Sequence, residues 1–276
     1  MRTTLSIFLL LVAIALYNIK YFTKPHSMTN SYKKIILFGD SQFEGSWNTT
    51  LDFCFPAALA QLYSRRADVL NRGLSGYSSK WMQTQLTRTI TELVRTDNAA
   101  FLFILWLGTN DSCLWEPHHV ALDAFKSTAT SYIDDILHNF PSAHILLVNP
   151  APISKTKLET STMRTKGHDR TQEQTKIYAD AFIALATNYP SDSVRSADLY
   201  SAMISAAGPD VEPINDANLK IGQFTLEGLH LNGRGYNALF DLIRTTIMNW
   251  PSVNPENLPR LEPNWQDKAD SLRVKS

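Results

Sequence analysis

The stretch Phe101–Leu107 restricts the possible folds most, because every one of its residues is apolar (Phe-Leu-Phe-Ile-Leu-Trp-Leu). A strand exposed on one face alternates apolar and polar residues, whereas a strand covered on both faces is apolar throughout. Sheets covered on both faces are mostly parallel and occur in α/β proteins. This stretch therefore predicts the central strand of a parallel sheet.

Weaker signals predict further strands and the helices between them. The predicted strands are Ile35–Phe38, Val69–Leu70, Ile145–Val148 and Val194–Leu199. Helices are predicted at about residues 55–66, 79–94, 120–138, 171–186, 201–207 and 233–250. Strands that alternate with helices predict an α/β fold, here a three-layer, flavodoxin-like fold with a central parallel five-stranded sheet and helices on both faces.

The N-terminal segment differs in composition from the rest of the chain. Its apolar run Leu5–Tyr17 is shorter than the about 20 residues that span a bilayer. Extending the run to Phe22 gives sufficient length but includes Asn18 and Lys20, and a lysine near the end of a span can extend its ammonium group to the interface. We therefore predict a single-pass transmembrane helix over residues 1–22, which would make the protein membrane-associated. The alternative is a signal peptide that is cleaved and leaves a secreted protein.

The rest of the chain divides by composition into three regions. Residues 23–32 are predicted to be a polar linker, residues 33–250 the main domain, and residues 251–276 a polar, proline-containing C-terminal tail.

Charge and cysteine content restrict the possible ligands. Lys+Arg and Asp+Glu both number 26, so the net charge is zero, and without a basic stripe we predict no nucleic-acid partner. Cys54 and Cys113 show neither Cys-x-x-Cys spacing nor a nearby histidine pair, so no zinc site is predicted. The two cysteines could form a disulfide in an oxidising compartment or remain free thiols.

Small and polar residues follow three of the predicted strands directly. Gly39, Asp40 and Ser41 follow the first strand, Gly76 lies in the turn after the second, and Asn110 follows the third. Right-handed crossovers place the carboxyl ends of all parallel strands at one edge of the sheet, where open α/β sheets bind ligands. These residues are therefore predicted to share one site.

The residue types at this edge suit acyl transfer. A serine such as Ser41 is a weak nucleophile unless a base takes its proton, and His230 is the candidate base. Glu227 precedes His230 by three residues, a spacing that lets its carboxylate reach the imidazole and stabilise the imidazolium. The N–H groups of Ser41 and Gly76 and the side-chain amide of Asn110 are the candidate donors of an oxyanion hole.

Four sequence blocks together resemble those of the GDSL, or SGNH, hydrolase family. They are Phe38-Gly39-Asp40-Ser41, Gly76, Gly108-Thr109-Asn110-Asp111 and Glu227-Gly228-Leu229-His230. Three segments further resemble the isoamyl acetate-hydrolysing esterase branch, namely Asn71–Trp81, Pro117–Leu122 and Leu229–Asn232. The resemblance covers about residues 33–250, which identifies that region as the catalytic domain.

The resemblance implies hydrolysis of small neutral carboxylic esters through an acyl-enzyme, with a small-molecule ester as partner and neither metal nor organic cofactor. Two features depart from the family pattern: Glu227 replaces the usual aspartate, and Gln42-Phe43-Glu44 replaces the threonine that usually follows the nucleophile block. The alternatives are an acyltransferase or a carbohydrate or lipid deacetylase that uses the same triad, and a catalytically silent binding module.

Three tryptophans are candidates for the wall of the substrate pocket. Trp47, Trp81 and Trp115 lie in or near the loops at the predicted site edge, where they would contact the acyl or alcohol part of the ester. The alternative is that they are core aromatic residues.

Overall fold

The computed structural model describes residues 31–96, 98–161, 170–208, 220–262 and 264–273. The chain divides into two compact units, Met1–Ser31 and Tyr32–Ser276. The sheet, the described helices and the candidate site all lie in the second unit.

Five parallel strands form one sheet in the order β2-β1-β3-β4-β5. The strands are β1 Lys33–Gly39, β2 Ala67–Gly73, β3 Ala100–Trp106, β4 His144–Val148 and β5 Val194–Ala197. The apolar strand β3 is central, and its residues from Phe101 onward are buried. The predicted α/β fold with a central parallel five-stranded sheet is confirmed.

Helices connect the strands and continue to the end of the described chain. They are α1 Ser41–Glu44, α2 Phe55–Leu62, α3 Ser79–Thr96, α4 Leu122–Asn139, α5 Lys155–Thr160, α6 Gln172–Ala184, α7 Leu199–Ala207, α8 Gly233–Met248 and α9 Trp265–Arg273. Short 3₁₀ turns occupy Gly45–Trp47, Leu185–Asn188, Ile221–Phe224 and Pro255–Asn257.

The two faces of the sheet carry separate hydrophobic cores. Helices α2, α7 and α8 cover one face, towards which Ile35 and Leu37 of β1 point. Helices α3, α4 and α6 cover the other face, towards which Ile36 and Phe38 point. This alternation along a fully buried strand explains why β1 shows no polar positions in its apolar run.

The structure departs from the sequence-based elements in three places. Strand β2 is longer than the predicted pair Val69–Leu70, because as an edge strand it is only partly buried and carries polar residues. Helix α5 lies between the predicted fourth strand and the helix predicted from about residue 171, where no helix was predicted. Beyond α8, the predicted polar tail packs in part on the core, since Val253 is fully buried and its carbonyl accepts a 2.7 Å hydrogen bond from the Tyr63 hydroxyl.

The prediction of a membrane-associated protein with a single-pass anchor is wrong. Among the residues that the structure describes, no helix has the length and apolar character needed to cross a bilayer. The apolar run behind that prediction was itself shorter than a span requires. Residues 1–22, on which the anchor and the alternative signal peptide were predicted, lie outside the described residues.

Candidate active site

Ser41 begins helix α1 immediately after β1 ends. Asp40 caps this helix, and its carboxylate accepts a 2.9 Å hydrogen bond from the backbone N–H of Gln42. A Cβ atom on Gly39 would lie 2.4 Å from the Trp106 carbonyl oxygen of β3. The glycine is therefore required by the close approach of the two strands.

Ser41, His230 and Glu227 form a continuous hydrogen-bonded chain. The Nε2 atom of His230 lies 2.9 Å from Ser41 Oγ, and its Nδ1 atom lies 2.5 Å from Glu227 Oε1. The backbone N–H of His230 donates to the same Oε1 atom at 3.1 Å. The added methylene of glutamate is thus accommodated without loss of the contact to the imidazole.

The charge of Glu227 is retained within this partly buried site. Burial alone would raise the pKa of its carboxyl, but the hydrogen bond and the charge interaction with His230 outweigh burial and hold the pKa below the usual 4.5. Glu227 is therefore an anion at neutral pH. It accepts the Nδ1 proton of His230, which leaves Nε2 free to take the proton of Ser41.

The three predicted oxyanion donors belong to residues around one small cavity of ≈ 150 Å³, which Ser41 and His230 also line. Gly76 has a φ of +79°, a backbone conformation that side-chain-bearing residues rarely adopt. Asn110 follows β3, and its Nδ2 atom donates a 3.0 Å hydrogen bond to the Tyr77 carbonyl. The structure therefore brings together all five residues predicted for catalysis and the oxyanion hole.

Gln42 links helix α1 to the segment Leu229–Leu231, a role that the sequence did not predict. It is buried, its Nε2 atom donates to the Leu229 carbonyl at 2.9 Å, and its Oε1 atom accepts from the Leu231 N–H at 3.4 Å. These two contacts lie on either side of His230. The glutamine, noted in the sequence only as a departure from the family pattern, therefore helps to hold the imidazole of His230 next to Ser41.

Glu44, which also departs from the family pattern after Ser41, contacts the loop that contains Gly76. Its carboxylate accepts a hydrogen bond from the Ser75 N–H, directly before Gly76. The contact ties helix α1 to the loop that carries a predicted oxyanion donor.

Arg170 is a charged residue of the cavity wall that the sequence analysis missed. Its side chain is 5% exposed and lines the cavity. The Nη2 atom donates to Asn110 Oδ1 at 2.9 Å, and Nη1 donates to the Thr109 carbonyl. Arg170 lies outside the predicted helices and strands and belongs to none of the recognised blocks, so nothing local in the sequence connects it to Asn110.

The three candidate pocket tryptophans differ in their positions. Trp115 lines the cavity, whereas Trp47 and Trp81 are not among the described residues that line it. His118, which also lines the cavity, lies between two of these rings, stacked on Trp115 at a centroid distance of 4.9 Å and tilted against Trp81 at 5.3 Å. The ring of Trp47 is 42% exposed.

The two cysteines are both free thiols, which corresponds to one of the two alternatives that the sequence left open. Cys113 is buried and lines the cavity beside Ser41 and His230, whereas Cys54 is partly buried and its Sγ atom lies 3.7 Å from the Ser46 carbonyl.

Two buried aspartates adjoin the site. Burial raises the pKa of Asp40 and of Asp111 from 3.8 to about 6. Asp111 accepts hydrogen bonds from the backbone N–H and the hydroxyl of Ser79, at 2.9 Å and 2.5 Å, at the start of helix α3. Asp111 therefore caps the start of helix α3.

The sequence profile of the GDSL-like Lipase/Acylhydrolase family matches residues 37–238 of this chain. The chain belongs to this family. The isoamyl acetate-hydrolyzing esterase of Saccharomyces cerevisiae is 28% identical over 250 residues, which cover 87% of this chain and 96% of that protein. A GDSL esterase/lipase of Arabidopsis thaliana is 30% identical over 218 residues, or 76% of this chain and 83% of that protein.

The fold agrees with that of solved structures. The crystal structure of the lipase/acylhydrolase from Enterococcus faecalis superposes with a TM-score of 0.55 at 20% identity, over 84% of this chain and 100% of that chain. The comparisons confirm the predicted family and its isoamyl acetate-hydrolysing branch. They also confirm the predicted class of activity: the protein is a serine esterase, and hence a carboxylic ester hydrolase.

Proposed function

We propose that the protein hydrolyses small neutral esters of the acetate type, with Ser41 as nucleophile, His230 as general base and acid, and Glu227 as the carboxylate that orients the base. The observation that carries this proposal is the 2.9 Å contact between His230 Nε2 and Ser41 Oγ. That distance is within the range over which a base takes a hydroxyl proton.

The reaction has two halves. In the first, Ser41 Oγ bonds to the ester carbonyl carbon while its proton passes to His230 Nε2. The carbonyl oxygen becomes an oxyanion, which accepts hydrogen bonds from the N–H groups of Ser41 and Gly76 and from the amide of Asn110. The ester C–O bond then breaks, and His230 gives its proton to the leaving alcohol.

In the second half, water attacks the acyl group held on Ser41. His230 takes a proton from the water and returns one to Ser41 Oγ as the carboxylic acid leaves. Glu227 stabilises the imidazolium that forms in each half. Water is the one co-reactant of this sequence, and no step requires an electron acceptor.

The size of the cavity supports a short acyl group. Its volume of ≈ 150 Å³ is below the range of about 300–1,000 Å³ that drug-sized ligands occupy. The relatives that carry the name isoamyl acetate-hydrolyzing esterase agree with an acetate-type substrate. Acyl chains too long for this volume would extend into solvent.

A panel of p-nitrophenyl esters with acyl chains from acetate to laurate tests the proposal. We expect kcat/KM to be highest for the shortest chains, and Ser41→Ala and His230→Ala to abolish hydrolysis with similar losses, because the residues of a triad act as a unit. Ser131→Ala, on the exposed face of α4, is the matched control and should retain full activity. Activity of more than a few per cent in Ser41→Ala, or a maximum at laurate, would contradict the proposal.

The same assay separates hydrolysis from acyl transfer. Adding a short alcohol as acceptor should leave free acid as the main product, because the proposed second half uses water. A product mixture dominated by the new ester would instead make the protein an acyltransferase.

A further inference from the structure

Asn110 has two polar neighbours that differ in hydrogen-bonding capacity. Its Oδ1 atom accepts from Arg170 Nη2 at 2.9 Å, and its Nδ2 atom donates to the Tyr77 carbonyl at 3.0 Å. A guanidinium group can only donate and a carbonyl group can only accept. The two neighbours therefore admit one orientation of the amide, because the reversed amide would place two donors together and two acceptors together.

This orientation determines what Asn110 presents to the substrate. An amide NH₂ group has two hydrogens; the Tyr77 carbonyl takes one, and the other is available to the cavity that Asn110 lines. The reversed amide would present oxygen, whose negative partial charge would repel an oxyanion. The orientation of this side chain thus decides whether it stabilises or destabilises the tetrahedral intermediate.

Arg170 is suited to fixing the amide because it is itself held rigidly. Its side chain is 5% exposed, and Nη1 donates to the carbonyl of Thr109, the residue before Asn110. One guanidinium group thus holds both the backbone and a side chain of the loop that follows β3. A charged donor on Oδ1 also polarises the amide and makes its N–H groups stronger donors.

We infer that Arg170 is a positioning residue for ester hydrolysis, which orients and polarises the Asn110 amide so that Nδ2 faces the oxyanion. The inference rests on the proposed function, because it assigns Arg170 to the oxyanion hole of that reaction. Arg170 acts on the intermediate through Asn110, so the effect of removing it should depend on whether Asn110 is present.

A double-mutant cycle tests this dependence. Losing one oxyanion donor typically lowers kcat about 10²–10³-fold, and we expect that range for Asn110→Ala. Arg170→Met should lower kcat by about 10–100-fold with KM changed less than about threefold, because the interaction is gained mainly in the transition state. In the Asn110→Ala background, Arg170→Met should cost less than about threefold.

Two further variants separate orientation of the amide from general stability. Arg170→Lys keeps a donor-only charge and should recover part of the kcat lost in Arg170→Met. Arg88→Met, on the exposed face of α3, is the control for loss of an arginine and should match the wild type. Thermal unfolding of every variant identifies any that fails to fold. If Arg170→Met fails to fold, Arg170→Lys and its double mutant with Asn110→Ala replace it in the cycle.

The affinity for an inhibitor that forms a tetrahedral adduct distinguishes the two roles, because a purely structural role of Arg170 would not change it selectively. Affinity for a trifluoromethyl ketone should fall in Arg170→Met by the same factor as kcat/KM, while affinity for the product alcohol stays unchanged. Additive losses in the cycle, or equal losses for the ketone and the alcohol, would overturn the inference. If Ser41→Ala is inactive and Arg170→Met is fully active, the inference fails and the proposed function stands; if Ser41→Ala is active, the proposed function fails.

Discussion

Replacing Glu227 with glutamine separates the two contributions of a triad carboxylate, which orients the imidazole and supplies a negative charge beside it. In the structure, the backbone N–H and the Nδ1 atom of His230 both bond to one oxygen, Glu227 Oε1. In Glu227→Gln, the amide oxygen can take both of these bonds, and the reversed amide would place its NH₂ against the backbone N–H. The variant should therefore keep the imidazole in its productive tautomer and lose only the negative charge.

The size of the loss follows from the distance between the charges. Two unit charges about 4 Å apart attract by about 4 kcal/mol at an effective dielectric constant near 20. The side chains of His230 and Glu227 are 27% and 17% exposed, so solvent reduces the interaction to about 2–3 kcal/mol. We therefore expect kcat/KM of Glu227→Gln to fall by about 30–200-fold.

The assay is the initial rate of p-nitrophenyl acetate hydrolysis at neutral pH, with three companion variants. Glu227→Ala loses both charge and orientation and should be at least about tenfold less active than Glu227→Gln, since a buried donor is then left unpaired. Glu227→Asp restores the residue usual in the family and should stay within about tenfold of the wild type. Glu256→Gln, on the exposed surface, is the control for loss of a carboxylate.

Two results would refute this reasoning. A loss below about threefold, or about 0.7 kcal/mol, in Glu227→Gln would mean that another group orients His230. Equal losses in Glu227→Gln and Glu227→Ala would mean that the amide reverses and that the shared Oε1 contact does not fix the tautomer.

Two further predictions concern buried polar residues beside the site. Gln42→Leu removes both contacts that flank His230, so two buried backbone groups lose partners worth about 1–3 kcal/mol each. We expect kcat to fall by about tenfold or more, with a small change in KM. Unchanged kcat in a folded variant would contradict the role of Gln42 in holding His230. Asp111 has a pKa raised from 3.8 to about 6. Between about pH 4 and pH 6 the folded protein therefore keeps a proton that the unfolded chain has already released, and the contribution of this group to stability falls as pH rises through that window. Urea unfolding of Asp111→Asn at pH 4 and pH 7 should therefore show the variant gaining up to roughly 3 kcal/mol relative to the wild type at the higher pH, whereas a pH-independent difference would contradict the raised pKa.

The sequence predicted the parts of the fold whose signals are local. Strand β3 is apolar at nearly every position because both of its faces are covered. Ser41, Gly76 and Asn110 lie within four residues of the ends of their strands, so the parallel sheet alone places them at one edge. Strand β2 was predicted too short because an edge strand pairs on one side and tolerates polar residues.

The residues that the sequence did not reveal act through contacts between distant segments. Gln42 bonds to Leu229, which is 187 positions away in the sequence, and Arg170 bonds to Asn110, which is 60 positions away. Neither residue has a periodic pattern or a spacing that would distinguish it from a surface glutamine or arginine. Their roles depend on burial and on the exact partners of their polar atoms, which only the folded chain defines.

Covalent labelling tests the central claim, that Ser41 is an activated nucleophile, most directly. The wild-type protein is treated with a fluorophosphonate probe, digested, and analysed by mass spectrometry of its peptides. We expect one phosphonylated residue, Ser41, with labelling lost in Ser41→Ala and strongly slowed in His230→Ala. Labelling at another residue, or equal labelling in His230→Ala, would contradict it.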